Sequence, residues 1–130
     1  MSRLFTLLFI ALLPNVHQNL VAATYSSPIA ITSDDRFVWV VNRDNNSVSV
    51  IKVEKDVNTK IAEIPVGMEP RCVAITPDDE KVFVTNMVSG TVSVIDADKR
   101  RVINTIHVGT EPFGCAVTPG GGKLCGELQL

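Results

Sequence analysis

The chain has 130 residues, 45% of them hydrophobic and 20% charged, with 12 basic against 14 acidic side chains. That balance excludes a nucleic-acid partner, which would need a concentrated basic face. Nor does any stretch read as a basic amphipathic helix suited to a membrane surface.

The first element is a leader. Arg3, the apolar run from Leu4 to Leu13 and the small residues Val21-Ala22-Ala23 have the layout of a secretory signal peptide over 1–23. The run is shorter than the roughly 20 residues of a membrane span, so no stable span is expected after cleavage. The mature chain is expected to begin at Thr24 and to be secreted, periplasmic or at the cell surface. Cleavage removes only Arg3 from the charges, leaving eleven basic against fourteen acidic residues. Asn15 and His17 leave with the peptide and drop out of any site.

Beyond the leader the chain repeats itself. Ala30-Ile31-Thr32-Ser33-Asp34-Asp35 aligns with Ala74-Ile75-Thr76-Pro77-Asp78-Asp79, Trp39-Val40-Val41-Asn42 with Phe83-Val84-Thr85-Asn86, and Ser47-Val48-Ser49-Val50-Ile51 with Thr91-Val92-Ser93-Val94-Ile95, each pair 44 residues apart. Farther on, Ile64-Pro65-Val66-Gly67 meets Ile106-His107-Val108-Gly109 at a spacing of 42. A period of roughly 40–45 residues made of short β-rich runs points to propeller blades. In the second copy those runs are 72–76, 81–85, 91–96 and 102–108, rich in Val, Ile, Thr and Phe and bounded by turn residues. The prediction is an all-β partial propeller over 24–130 with four-stranded antiparallel blades. Repeats fall at about 26–69 and 70–111, and an incomplete third occupies 112–130. Asn46 and Gly90 share a repeat position and are the residue types that tolerate positive φ, so a left-handed turn is expected there.

Strand alternation puts Val82 and Val84 on one side and Phe83 and Thr85 on the other, both apolar enough to bury between neighbouring blades. Trp39 and Phe83 occupy equivalent positions and are each expected to be buried. Hairpin parity places Asp34-Asp35, Asp78-Asp79 and Lys99-Arg100-Arg101 on one rim. The turns 43–47 and 87–90 and the inter-blade links 67–70 and 109–112 then share the opposite rim.

That second rim is the candidate ligand-facing surface, with Glu69, Arg71, Glu111 and Asn86 as its site residues. Glu69 and Glu111 match in the repeat, and a ring of such carboxylates suits a cation; alternatively, Gly-x-Glu-Pro is only a turn formula in which Pro fixes φ. No catalytic residue, metal ligand or cofactor site is expected. His107 falls on the outermost strand, where its repeat equivalent is Pro65, and there is neither a Cys-x-x-Cys-His nor a Gly-x-Ser-x-Gly motif. Gly120-Gly121-Gly122-Lys123 reads as the turn of the third repeat rather than a phosphate loop. Cys72, Cys115 and Cys125 cannot all pair within one molecule. Cys72 and Cys115 sit one residue out of register, which predicts side chains facing opposite ways and small buried thiols rather than a disulfide.

Phe83-Val84-Thr85-Asn86, Thr91-Val92-Ser93-Val94-Ile95-Asp96, Ile106-His107-Val108-Gly109 and Pro77-Asp78-Asp79 together resemble the repeat of the YVTN family of β-propellers, over residues 27 to about 119. Trp39 and Phe83 stand in place of the family's Tyr, and Val41 in place of Thr. The resemblance implies a WD40/YVTN-like propeller of the kind found in secreted and surface-layer proteins, seven-bladed in many relatives. Some of those are linked to quinone- or haem-dependent dehydrogenases, and others have no known activity. After Lys123-Leu124 the repeat pattern is lost, so a fragment of a longer propeller is expected, or a chain that closes its ring by self-association through exposed blade faces. The expected function is a non-catalytic, exported scaffold binding a protein or small ligand. The alternative is a fragment of a propeller oxidoreductase subunit or lactonase-like enzyme whose catalytic residues lie on other blades.

Overall fold

The computed structural model describes residues 27–121 and 124–128. The expected leader over 1–23 lies outside them. Ten strands follow one another: β1 Ile29–Ile31, β2 Phe37–Asn42, β3 Ser47–Val53, β4 Asn58–Pro65, β5 Pro70–Ile75, β6 Lys81–Asn86, β7 Thr91–Asp96, β8 Arg101–His107, β9 Pro112–Val117 and β10 Leu124–Leu128. They form two four-stranded antiparallel meanders, β1-β2-β3-β4 and β5-β6-β7-β8, and a two-stranded sheet of β9 and β10. Two blades and the opening of a third are thus present, as the repeat predicts. No helix among the described residues is long and apolar enough to cross a membrane.

Each blade opens with the same turn. Thr32 Oγ1 donates to Asp34, whose carboxylate accepts the Arg36 N–H, and the Phe37 N–H closes on Thr32 Oγ1. Thr76, Asp78, Glu80 and Lys81 repeat the pattern. These bonds favour the ionised carboxylate, so Asp34 and Asp78 are both held below the ordinary carboxyl range, chiefly by the Thr32 and Thr76 hydroxyls. The turns need a left-handed residue, which Asp35 (φ 58°) and Asp79 (φ 59°) supply. Gly121 (φ 68°) does so in the third repeat, its N–H donating to the Thr118 carbonyl as the Asp79 N–H does to Thr76. The glycine run is therefore a blade turn. Asn46 and Gly90 are also left-handed, at φ 51° and 63°.

The core lies between the first two sheets. Register puts Trp39, Val48 and Val50 on one face of the first sheet, and Val73, Val82, Val84 and Ile95 on the facing side of the second. With Ile64 they form one buried cluster, each large side chain contributing about 1.5–3 kcal/mol by leaving water. The next interface is smaller and consists of Cys72, Ala74 and Cys115, backed by Val117. Phe83 faces that side and is only half-buried, which corrects the expectation that it matches Trp39. Among the described residues the third sheet supplies two strands, of which β9 packs against β5 and β6, the inner strands of the second sheet.

Cys72 and Cys115 are buried thiols, as expected, but the expectation that they point away from each other is corrected. Their sulfurs lie 2.7 Å apart. Opposite faces of equivalent strands do point opposite ways, but stacked blades meet through opposite faces. Residues out of register by one are therefore the ones brought together. Cys72 looks forward to the third sheet, while Cys115, the equivalent of Val73, looks back to the second.

Candidate functional site

The link from β4 to β5 carries the predicted rim. Its backbone is tied to both flanking turns: the Val66 N–H donates to the Asn46 carbonyl and the Glu69 N–H to Asn46 Oδ1, at 2.9 Å each, while the Met68 N–H donates to Ser89 Oγ at 2.7 Å. In return, Met87 and Val88 donate their N–H groups to the carbonyls of Glu69 and Met68. So fixed, Glu69 adopts φ 50°, a left-handed conformation that costs a non-glycine residue energy.

Its carboxylate is held between two guanidinium groups. Arg43 donates to Oε1 at 3.0 Å, and the Arg71 guanidinium lies 3.5 Å from Oε2. Arg71, the least exposed of the three at 23%, also stacks its guanidinium carbon 5.7 Å from the centre of the Phe113 ring. Its Nε is buried without a hydrogen-bond partner among the described residues. Two cations around one carboxylate leave an excess positive charge at the entry to β5, the inner strand of its blade. Exposed pairs of this kind contribute at most about 1 kcal/mol to stability; what they provide is a preformed guanidinium surface that suits an oxyanion.

Glu69 and Arg71 are thus brought together as the rim reading required. Glu111 shares the left-handed conformation, at φ 49°, and is exposed, but its repeat surroundings carry Met87 where Arg43 stands and Phe113 where Arg71 stands. The two carboxylates therefore do not make equivalent sites. Asn86 is buried at 0% exposure between the sheets, where its amide donates to Thr91 Oγ1 and Ser93 Oγ at 3.1 and 2.9 Å. It supports the rim from inside rather than lying on its surface. Arg43 was missed as a member of the cluster because its partner lies 26 residues away across the strands β3 and β4. The only available signal was that its turn shares a rim with the link.

Two grooves flank the first blade interface. One, of about 340 Å³, opens on the opposite rim between Asp34, Arg36, Asp79 and Arg100. Ser33 closes part of this edge by donating its backbone N–H to the Asp79 carboxylate at 2.9 Å. The other, of about 520 Å³, runs on the outer side past Gly67, Ser89, Val102 and His107. His107 is on β8 and exposed, as expected for an outer strand.

Comparison with known proteins defines the class. The profile described as "Lactonase, 7-bladed beta-propeller" matches residues 6–104, and the chain belongs to that family. It is 37% identical over 65 residues to the 6-phosphogluconolactonase of Buchnera aphidicola subsp. Baizongia pistaciae, a match covering 46% of this chain and 20% of that protein. Among solved structures, the hydrazine synthase of Kuenenia stuttgartiensis superposes with a TM-score of 0.73 at 24% identity, covering 83% of this chain and 32% of its own. A proposed 6-phosphogluconolactonase of Bacteroides fragilis gives a TM-score of 0.73 at 15% identity, covering 79% and 32%. The likeness to both structures is one of fold. This chain thus spans about a fifth of the curated relative and about a third of each of these structures.

These matches overturn the expected non-catalytic scaffold. Membership of a family described as lactonase favours the alternative raised from the sequence, a piece of a lactonase-like enzyme, over the scaffold. The lactonase reading stood only as the alternative because no nucleophile, metal set or cofactor motif was found in these repeats.

Proposed function

We propose that this chain supplies two blades, and the start of a third, of a propeller lactonase acting on an anionic sugar lactone. The observation that carries this reading is the 37% identity to a 6-phosphogluconolactonase within a family described as lactonase. In the reaction, water adds to the lactone carbonyl, the ring C–O bond breaks, and the hydroxy acid formed releases a proton at neutral pH. The blades described here contribute binding rather than proton transfer: Arg43 and Arg71, only partly neutralised by Glu69, hold the phosphate or carboxylate of the sugar. Other blades cover the outward face of the first sheet, where Ile29 and Ile31 are exposed beside Val38 and Val40; they come from the same ring or from a second copy.

The test is an exchange of blades. Replacing the matching 65-residue stretch of the Buchnera enzyme with that of this chain is expected to leave hydrolysis of 6-phosphogluconolactone, followed by proton release, within about tenfold of the parent, or about 1.4 kcal/mol in barrier. Arg71→Ala in the exchange enzyme then raises KM more than it lowers kcat. A soluble exchange enzyme with intact β-structure that opens the lactone no faster than water alone overturns the proposal.

The finer assignment within the propellers, to the YVTN-type repeat, rests on the Phe83-Val84-Thr85-Asn86 string and belongs to the same reading. So does export. The Arg3 start, the apolar run and Val21-Ala22-Ala23 support a mature chain beginning at Thr24. The intact mass of the protein recovered from a bacterial periplasm or medium is expected to match residues 24–130, and a soluble product retaining Met1 sinks it.

A further inference from the structure

We propose that Cys72 and Cys115 form a disulfide that staples the second blade to the third across their innermost strands. The two sulfurs stand 2.7 Å apart, closer than two sulfurs in van der Waals contact and within reach of the roughly 2.05 Å bond that oxidation makes. Both residues are buried, at 0% and 4% exposure, in a small apolar seam completed by Ala74 and Val117. The seam is already tied by polar bonds. Thr85 Oγ1 accepts the Cys72 N–H at 3.2 Å and donates to the Phe113 carbonyl of the third sheet at 3.2 Å.

Among the described residues the apolar part of this interface is small, although β9 packs along both β5 and β6. Among those residues the first and second sheets share a cluster of eight buried hydrophobic residues and the second and third share three. A covalent link here joins positions 43 residues apart in sequence, so it restricts the unfolded chain as well as fastening the blade, and the longer the loop closed, the larger that effect.

The chemistry is thiol–disulfide exchange with a disulfide oxidant, either a small molecule such as oxidised glutathione or a protein thiol oxidase. One thiol loses its proton and attacks one sulfur of the oxidant's disulfide; that S–S bond breaks, one half leaves with the bonding pair and is protonated to a thiol, and the other half stays joined to the protein as a mixed disulfide. The second thiol loses its proton, displaces the remaining oxidant sulfur from the mixed disulfide and completes the Cys72–Cys115 bond, releasing a second thiol. In the packed state the Cys115 thiol is held far above its ordinary range, first by its hydrogen bond to Cys72, then by burial and by repulsion from charge on Cys72. Attack is therefore slow once the seam has closed, and the bond forms as the third blade docks.

Trypsin reads the pairing directly, because it places the cysteines on separate peptides, 72–81, 102–123 and 124–130. The full 130-residue chain, as an equal mixture of heavy-isotope-labelled and unlabelled protein, is refolded with oxidised glutathione, alkylated and digested without reduction. The expected product is 72–81 linked to 102–123 within one isotopic form, with alkylation of both cysteines lost together, and reduction restoring it. The oxidised chain is also expected to show a higher denaturant midpoint than the reduced one. Linkage of either peptide to 124–130, mixed-isotope pairs, or alkylation of both Cys72 and Cys115 after refolding overturns the proposal. The Cys125→Ser chain gives the same readout with the competing thiol removed and is expected to yield the same linked pair.

Discussion

Trp39→Ala is expected to cost about 3–5 kcal/mol of folding stability, and Phe83→Ala clearly less. The two residues are repeat equivalents, so intrinsic strand propensity does not separate them. What does is packing: Trp39 is 2% exposed within the cluster joining the first two sheets, whereas Phe83 is half-buried on the side of the second sheet against which β9 packs. Truncating Trp39 leaves a cavity walled by strands of both sheets, which hydrogen-bonded ladders prevent from collapsing. The indole N–H finds no partner among the described residues, so little is lost with it, and Trp39→Phe should cost under about 1.5 kcal/mol. Urea unfolding of the three variants distinguishes these effects. Equal losses for Trp39→Ala and Phe83→Ala would mean that the first interface is not the dominant core.

The fold was legible because its signal recurs. A strand pattern seen once is ambiguous, but Trp39-Val40-Val41-Asn42 and Phe83-Val84-Thr85-Asn86 within matching flanks define blades, and the left-handed turns at Asn46 and Gly90 follow from residue type. What repetition hides is the relation between repeats. The meeting of Cys72 with Cys115 depends on stacked sheets presenting opposite faces, a fact about how blades assemble that lies outside any single blade's alternation. The Arg43–Glu69–Arg71 cluster likewise joins a hairpin turn, a link and an inner strand. Its arginines have no counterparts in the next repeat, so alignment of the copies drew attention to Glu111 instead. Family membership was legible only in part, because propeller repeats record the stacking of sheets and carry little of the chemistry that any one ring performs.

Asn86 illustrates how a repeated polar residue can serve the packing of its blade. Its amide bridges Thr91 and Ser93, both buried, and Asn42 bridges Ser47 and Ser49 in the same way at 3.0 and 2.8 Å. The common spacing, an Asn followed by hydroxyl residues five and seven positions later, locks the end of the second strand of each blade to the start of the third. Asn86 is sealed by the preceding blade, and its side chain leaves no room for a Cβ on Gly67, which would lie 2.7 Å away. Asn42 faces outward from the first sheet and is half-exposed. Asn86→Ala strands two buried hydroxyls and is expected to cost about 2–4 kcal/mol, because each unsatisfied buried group loses about 1–3 kcal/mol; the hydroxyls of Ser47 and Ser49 are buried too, but Ser47 keeps its bond to Glu63 and water can take the place of the half-exposed Asn42 amide, so the loss there should be smaller, about 1 kcal/mol. Denaturant midpoints of the two variants, read alongside KM in the blade-exchange enzyme, separate support from ligand contact. A raised KM with undiminished stability for Asn86→Ala would place this residue at the ligand, whereas a stability loss larger at Asn86 than at Asn42 means that the covering blade is what makes the bridge costly to break.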